Sequence, residues 1–398
     1  MTPTDLCTAG RWQEAVDLVE SMSGPVGLDV VIAYSNALEM VGRVEDSVNV
    51  LLSLHEVTPR WESAVWYVSA LCRLGLRNNP QVDRLIGLYP ECEFLKAGRS
   101  EQALQDGDLA TGFALAKHRW AIKTAKAMRT TLPCPEWDGV STDGRLLVIG
   151  EQGLGEEILF SSQLSWLRPA VVGADPRLVP LLARSFPRHE FVPKAKLAEM
   201  VTDGDAYVEA MDLMRIGKAT GNSSAWLIPD MARAAHYRGQ LETEFTGKAL
   251  VGLSWFSSRQ GLGDSKSIPP ADLMPLVSSQ RAVFLNLQYG EVRIDSEVWE
   301  RTGCPLYAID GLDVTNDLDG LASLIAALDV VVTCSNTTAH LAGAMGKRTI
   351  LMAPGGRFVL WYWGRDGNRT PWYPSVEILR GPPRVSWADL SGTVEGML

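Results

Sequence analysis

A short pattern recurs through the first third of this 398-residue chain, and it limits that part to stacked helices. Gly10-Arg11-Trp12-Gln13-Glu14-Ala15-Val16 returns 32 residues later as Gly42-Arg43-Val44-Glu45-Asp46-Ser47-Val48. Another 33 residues on stands Gly75, preceded by Ala70 and Leu71 at the spacing that Ala37 and Leu38 hold before Gly42. A single helix pair cannot bury its apolar face, so copies at a fixed period share a core by stacking and leave a concave surface. Residues 1–125 therefore read as a helical array suited to docking more than to chemistry. A generic helical bundle fits the same residues. Leu132-Pro133-Cys134-Pro135-Glu136-Trp137-Asp138-Gly139 then breaks the pattern and reads as a linker that Trp137 pins to the next domain.

From Arg145 the period changes. Residues 145–149 (RLLVI) form a short apolar run, as a strand buried on both faces requires. Helical and strand-like segments alternate after it, with strands expected at 169–174, 190–193 and, weakly, 206–208. A second alternating set begins at 249–255 and continues with strands at 283–287, 306–309, 330–333 and 349–352. Helices fit between them at 270–277, 317–327 and 338–345. Residues 226–230 read as the crossover. The expected class is α/β: two Rossmann-like domains (126–245 and 246–398) facing a cleft, preceded by an all-α array (1–125).

Three loops offer chemistry. Gly150-Glu151-Gln152-Gly153-Leu154-Gly155 joins a strand to a helix and lets a ligand approach backbone N–H groups through Gly153 and Gly155. Two acids, Glu156 and Glu157, open that helix. They complement its dipole, and a carboxylate there also suits a general base; both readings stand. Ser335-Asn336-Thr337-Thr338-Ala339-His340 begins another helix without a carboxylate, a place where Asn336, Thr337, Thr338 and the dipole suit a diphosphate. His340 reads equally as packing. After residues 249–255, Ser257 and Lys266 reach the same cleft from the opposite wall, and Gln288, Tyr289 and Glu291 border it as candidates for a base or ribose. Trp361, Tyr362, Trp363, Trp372 and Tyr373 fit either stacking on a base or sugar, or a seam between domains.

Composition narrows the classes further. Against 47 acidic residues stand 37 basic ones, a net charge of −10 without a basic stripe, so nucleic acid is not an expected partner. No apolar run is long enough to span a membrane, and the start lacks a basic region followed by an apolar one; a cytoplasmic location is expected. Six cysteines form no CxxC pair and five histidines no HxxxH spacing, so neither a disulfide framework nor a protein-built metal site is expected.

The repeat period resembles the tetratricopeptide repeat. The glycine turn 150–155, Asn286-Leu287-Gln288-Tyr289-Gly290, Asp317-Leu318-Asp319-Gly320-Leu321-Ala322, the segment 335–344 and Pro371-Trp372-Tyr373-Pro374 form an ordered series. Together they resemble bacterial tetratricopeptide-repeat proteins whose catalytic half is similar to glycosyltransferase family 9, the ADP-heptose:lipopolysaccharide heptosyltransferases. The resemblance implies a GT-B fold and an inverting, metal-independent transfer with a nucleotide-diphosphate sugar as donor substrate and no cofactor. It places Glu156 where the family has its Asp base, and Lys266 at the family's loop lysine. Ser335 and Thr337 stand where the family signature has Asp and Gly, which leaves the heptose unassigned. The array favours a protein acceptor, surface or flagellar, over lipopolysaccharide or another glycan. The rivals are a repeat scaffold with a degenerate, non-catalytic module and, from the glycine turn alone, a nicotinamide oxidoreductase.

Overall fold

The computed structural model describes the chain apart from residues 123–125, 127–128, 141, 152, 223, 259–262, 280, 291–305, 357–358 and 383–384. Its N-terminal part is helical: α1 (Pro3–Thr8), α2 (Trp12–Glu20), α3 (Leu28–Met40), α4 (Val44–Val57), α5 (Trp61–Leu74), α6 (Asn79–Leu88), α7 (Glu93–Gln105) and α8 (Leu109–Leu115). The recurring sequence positions have physical roles. Gly10, Gly42 and Gly75 follow the ends of α1, α3 and α5 with φ of +71°, +90° and +67°, the left-handed conformation that ends a helix cheaply only at glycine. The recurring apolar residues Ala15, Val16, Ala37, Leu38, Ala70 and Leu71 are all buried between neighbouring helices.

Beyond the linker lies a four-stranded parallel sheet of β1 (Leu146–Ile149), β2 (Val171–Ala174), β3 (Glu190–Pro193) and β4 (Ala206–Glu209), in the order β3-β2-β1-β4. Helices α9 (Leu154–Ser161), α10 (Val179–Ser185) and α11 (Asp212–Ile216) accompany it. β4 pairs with β1 along its whole length and is buried throughout. The linker is pinned to it as a sheet edge, with the Trp137 amide donating to the Tyr207 carbonyl at 2.6 Å.

The residues after 226–230 form α12 (Met231–Glu244), capped by Asp230, which accepts from the amides of Ala232 and Arg233. It packs on α15 (Leu318–Ala327) of the second sheet's layer. That sheet comprises β5 (Ala249–Ser254), β6 (Ala282–Asn286), β7 (Leu306–Tyr307), β8 (Val330–Cys334), β9 (Thr349–Ala353) and β10 (Val376–Arg380), all parallel, in the order β10-β9-β8-β5-β6-β7. Short helices α13 (Gly263–Lys266) and α14 (Met274–Val277) follow β5, α16 (Thr337–Ala344) follows β8, and α17 (Trp387–Met397) ends the chain. Counted from β5, this is the doubly wound order 3-2-1-4-5-6.

The three parts are packed together. Phe113 of α8 meets Trp361 and Trp372 edge-on at 5.7 and 6.0 Å, and Phe160 of α9 stacks on Trp361 at 6.5 Å. The aromatic run is thus a buried seam. Arg184 of α10 makes a two-pronged ion pair with Asp319 of α15 (2.6 and 2.7 Å), and Arg365 donates to Asp106 and Gln105 at the end of α7. Among the described residues no helix is long and apolar enough to cross a membrane.

Candidate functional site

In a parallel sheet, ligands bind beyond the carboxyl ends of the strands, where the strand order reverses. The first sheet reverses at β1, between β2 and β4, and the second between β5 and β8. The loops leaving β1, β5 and β8 are the three that the sequence singles out. They meet. A methyl added at Gly155 in α9 would lie 2.5 Å from Cδ2 and 2.8 Å from Nε2 of His340 in α16. The first turns of the two helices therefore touch across the junction.

The two acids of α9 part company here. Glu157 accepts from the Asp175 amide at 2.8 Å and from Lys194 Nζ at 3.0 Å, so its carboxylate fastens the end of β2 to α9. Burial pushes its pKa up, against the pull of Lys194. Glu156 is 8% exposed and turns towards the second unit, where Tyr362 Oη donates to its Oε1 at a long 3.5 Å. Its other oxygen lies beside Gly153, at the uncapped start of α9.

Across the junction, two amides organise the loops. Asn336 caps α16: its Oδ1 accepts from the Thr338 amide (3.0 Å) and the Ala339 amide (3.4 Å), while its Nδ2 donates to Ser254 Oγ at 2.7 Å. Gln288 Oε1 accepts from the amides of Trp255 (2.9 Å) and Phe256 (2.8 Å) and from Ser254 Oγ (3.1 Å), and its Nε2 donates to the carbonyls of Tyr289 and Phe256. Gln288 is committed to holding the β5 loop rather than presented to a base or ribose. The Ser257 amide donates to Ser267 Oγ at 3.0 Å in the same loop. Thr337 is half-buried. Thr338 is fully buried and its Oγ1 has no hydrogen-bond partner among the described residues.

Lys266, at the end of α13, is 4% exposed, and its charge is felt by both His340 and Cys334. His340 is enclosed by Tyr362, Trp363 and Tyr373, with ring centroids at 4.7, 5.0 and 5.6 Å, and its Nδ1 pairs with Tyr373 Oη at 2.6 Å. Burial first, and Lys266 second, hold its pKa down to about 3, so the imidazole is neutral. The structure thus brings Glu156, Lys266, Ser257, Gln288, Asn336, Thr338 and His340 to one junction. Thr337 sits half-buried at the start of α16 in the same place, and Glu291 lies outside the described residues.

Sequence reasoning missed a second polar cluster beside the glycine turn, where Arg119, Arg129, Glu151, Glu209 and Asp212 converge. Burial raises Glu151 to about pH 7 despite the bonded Arg119. Its members lie up to 93 residues apart, so no local spacing announces them. A cavity of about 540 Å³ lined by Ser162, Arg188, Asn222 and Trp226 lies elsewhere, where α9 and α10 end. At the junction itself Gly155 and His340 are in contact, and Glu156, Lys266, Asn336 and His340 are buried.

That contact makes a sharp prediction at Gly155. In an ordinary helix Gly→Ala is stabilising by about 0.4–1 kcal/mol. Here the methyl would press on an imidazole that Tyr373 and the aromatic box hold in place, and such overpacking costs about 1–3 kcal/mol. Gly155→Ala is expected to lower the urea midpoint of unfolding. A raised midpoint would show that the two helix starts do not touch in solution.

Fold and junction define a class: a helical array fused to two parallel α/β units whose switch points face one another. No family model matches the chain. It is 31% identical over 335 residues to Protein FlbA of Caulobacter vibrioides, a match covering 77% of this chain and 55% of that protein. The chain thus spans about half the length of that relative. Among solved structures it is similar to E. coli ADP-heptose lps heptosyltransferase II (12% identity, 64% of this chain and 98% of that one, TM-score 0.44). It is also similar to the glycosyl transferase family 9 structure from Veillonella parvula DSM 2008 (11%, 66% and 92%, 0.46). A mutant O-GlcNAc transferase from Thermobaculum terrenum aligns over 99% of this chain and 88% of its own at 14% identity, with a TM-score of 0.34.

Proposed function

We propose that the chain is a glycosyltransferase that moves a sugar from a nucleotide-diphosphate sugar to an acceptor hydroxyl, the acceptor being a protein. One observation carries this reading: the carboxylate of Glu156 and the start of α16 with Lys266 occupy a single junction where the switch points of two parallel sheets meet. In this reading Glu156 takes the proton of the acceptor hydroxyl as its oxygen attacks the anomeric carbon, and the glycosidic bond to the diphosphate breaks. Lys266 and the start of α16, with the Thr338 hydroxyl, take up the charge on the leaving diphosphate. His340, neutral and hydrogen-bonded, orders the aromatic wall.

The first test is thermal. Nucleoside diphosphates and nucleotide sugars are screened for a rise in melting temperature of the whole protein. At about 100 times Kd the rise corresponds to about 2.7 kcal/mol, and Lys266→Gln is expected to abolish it. One observation favours the scaffold reading instead: Asn336 already caps two of the α16 amides that a diphosphate would use. That reading expects no nucleotide to shift the melting temperature of the folded protein.

The array supports the acceptor half of the proposal by its stacked helices and exposed apolar residues, among them the stacked pair Trp61 and Phe94. Removing residues 1–125 is a poor test of docking. It would strip Leu104 and Phe113 from the core they share with Trp361 and Trp372.

A further inference from the structure

The last turn of the array reaches the glycine-rich turn through one side chain. Arg119, in the helical turn 116–121, is buried and presents its fork to Glu151: Nε donates to Oε2 and Nη2 to Oε1, both at 2.9 Å. Its Nη1 donates to the Ala116 carbonyl at 2.9 Å, which fixes the guanidinium to its own turn. Glu151 Oε1 also accepts from the Met211 amide at 2.7 Å, so the start of the glycine turn is clamped between the array and α11. Glu209, at the end of β4, accepts from Arg119 (3.0 Å), Trp120 Nε1 (2.7 Å) and Arg129 (2.9 Å), and Asp212 lies 3.4 Å from Arg119. Arg119 also lies over the Trp120 ring at 4.5 Å. A planar two-pronged bond of this kind fixes orientation as well as distance, and lysine cannot reproduce it. Five residues beyond Glu151 stands Glu156.

We propose that Arg119 is a positioning residue for Glu156: by holding Glu151 it sets the glycine-rich turn, and with it the first turn of α9, against α16. The helical array is then part of the site's frame as well as a docking surface. The inference rests on the reading of Glu156 as the base, and its test separates the two.

Arg119→Lys keeps the charge and loses the fork; Glu151→Gln keeps the shape and loses the charge, and stands in should the lysine variant not fold. Each is made in the wild-type and the Glu156→Gln background, and kcat is taken per folded molecule. The expected result is a loss of about tenfold in kcat, at unchanged donor KM, in the wild-type background and less than twofold in the Glu156→Gln background. Equal factors in both backgrounds, or no loss, would overturn the proposal. Independently of activity, amide hydrogen exchange over residues 153–158 is expected to speed up in Arg119→Lys while that of β5 and β8 stays unchanged. Unaltered exchange over 153–158 defeats the positioning role even if no sugar transfer is found. An inactive wild-type protein with the expected exchange change defeats only the reading of Glu156.

Discussion

Glu156→Gln is expected to lower sugar transfer about 10²–10⁴-fold per folded molecule while leaving nucleotide binding within about twofold. The amide has the carboxylate's shape but cannot take a proton. Glu157, one residue on, cannot replace it, because its oxygens are spent on the Asp175 amide and Lys194. The Glu157→Gln variant weakens that fastening and so acts on stability, with kcat per folded molecule close to wild type. Rapid-quench measurement of product from a saturating donor distinguishes the two. A Glu156→Gln enzyme running at the wild-type rate would show that the carboxylate serves only the dipole of α9.

Acid is expected to destabilise the fold through His340, and Glu151 delays the loss. His340 has its folded pKa lowered from 6.5 to about 3, chiefly by burial, so its contribution is complete above 6.5 and is lost as pH falls towards 3. Each pH unit in that window is worth about 1.4 kcal/mol. Glu151 acts in the opposite sense. Burial raises its pKa from 4.5 to about 7, so its contribution is complete below 4.5 and is lost as pH rises to 7. Between 4.5 and 6.5 these two slopes offset one another; below 4.5 the loss from His340 is joined by that of carboxylates held below their ordinary range, such as Asp205 and Asp175. In Glu151→Gln the offset is gone and stability falls from pH 6.5 onward. The wild-type stability relative to this variant is expected to rise by about 3 kcal/mol from pH 7 to 4.5, read from urea unfolding at each pH. A pH-independent difference would show that Glu151 titrates alike in the folded and unfolded chains.

The strands β1, β2, β5, β8 and β9 were legible because runs such as LLVI and TILMA are buried on both faces and announce themselves as continuous apolar segments. Helix α12 was not, since Met231–Glu244 is largely polar and buries only Ala234, Tyr237 and Leu241. β10 and α17 lay beyond the last strand expected, because VEILR alternates too briefly to stand out. At the site, sequence placed the right loops but could not assign their side chains. The helical pattern alone does not separate Glu156 from Glu157, adjacent acids in one turn that face different units; only the family resemblance singles out Glu156. Asn336 and Gln288 looked like ligand-binding amides. In the fold they answer orphan N–H groups of α16 and the β5 loop, needs that arise only once β5, β6 and β8 lie side by side. Arg119 gave no signal at all, since its partners come from two distant segments, at 151 and at 209–212.

Hydrogen exchange with and without a nucleoside diphosphate tests most directly whether this junction is a nucleotide-sugar site. The whole protein is incubated with ADP, GDP, UDP or CDP, and exchange is followed peptide by peptide. Slower exchange is expected over residues 335–340 and 153–158, with residues 221–226 at the separate cavity unchanged. Exchange that no nucleotide alters at the junction, in a protein that is fully folded, would contradict the account.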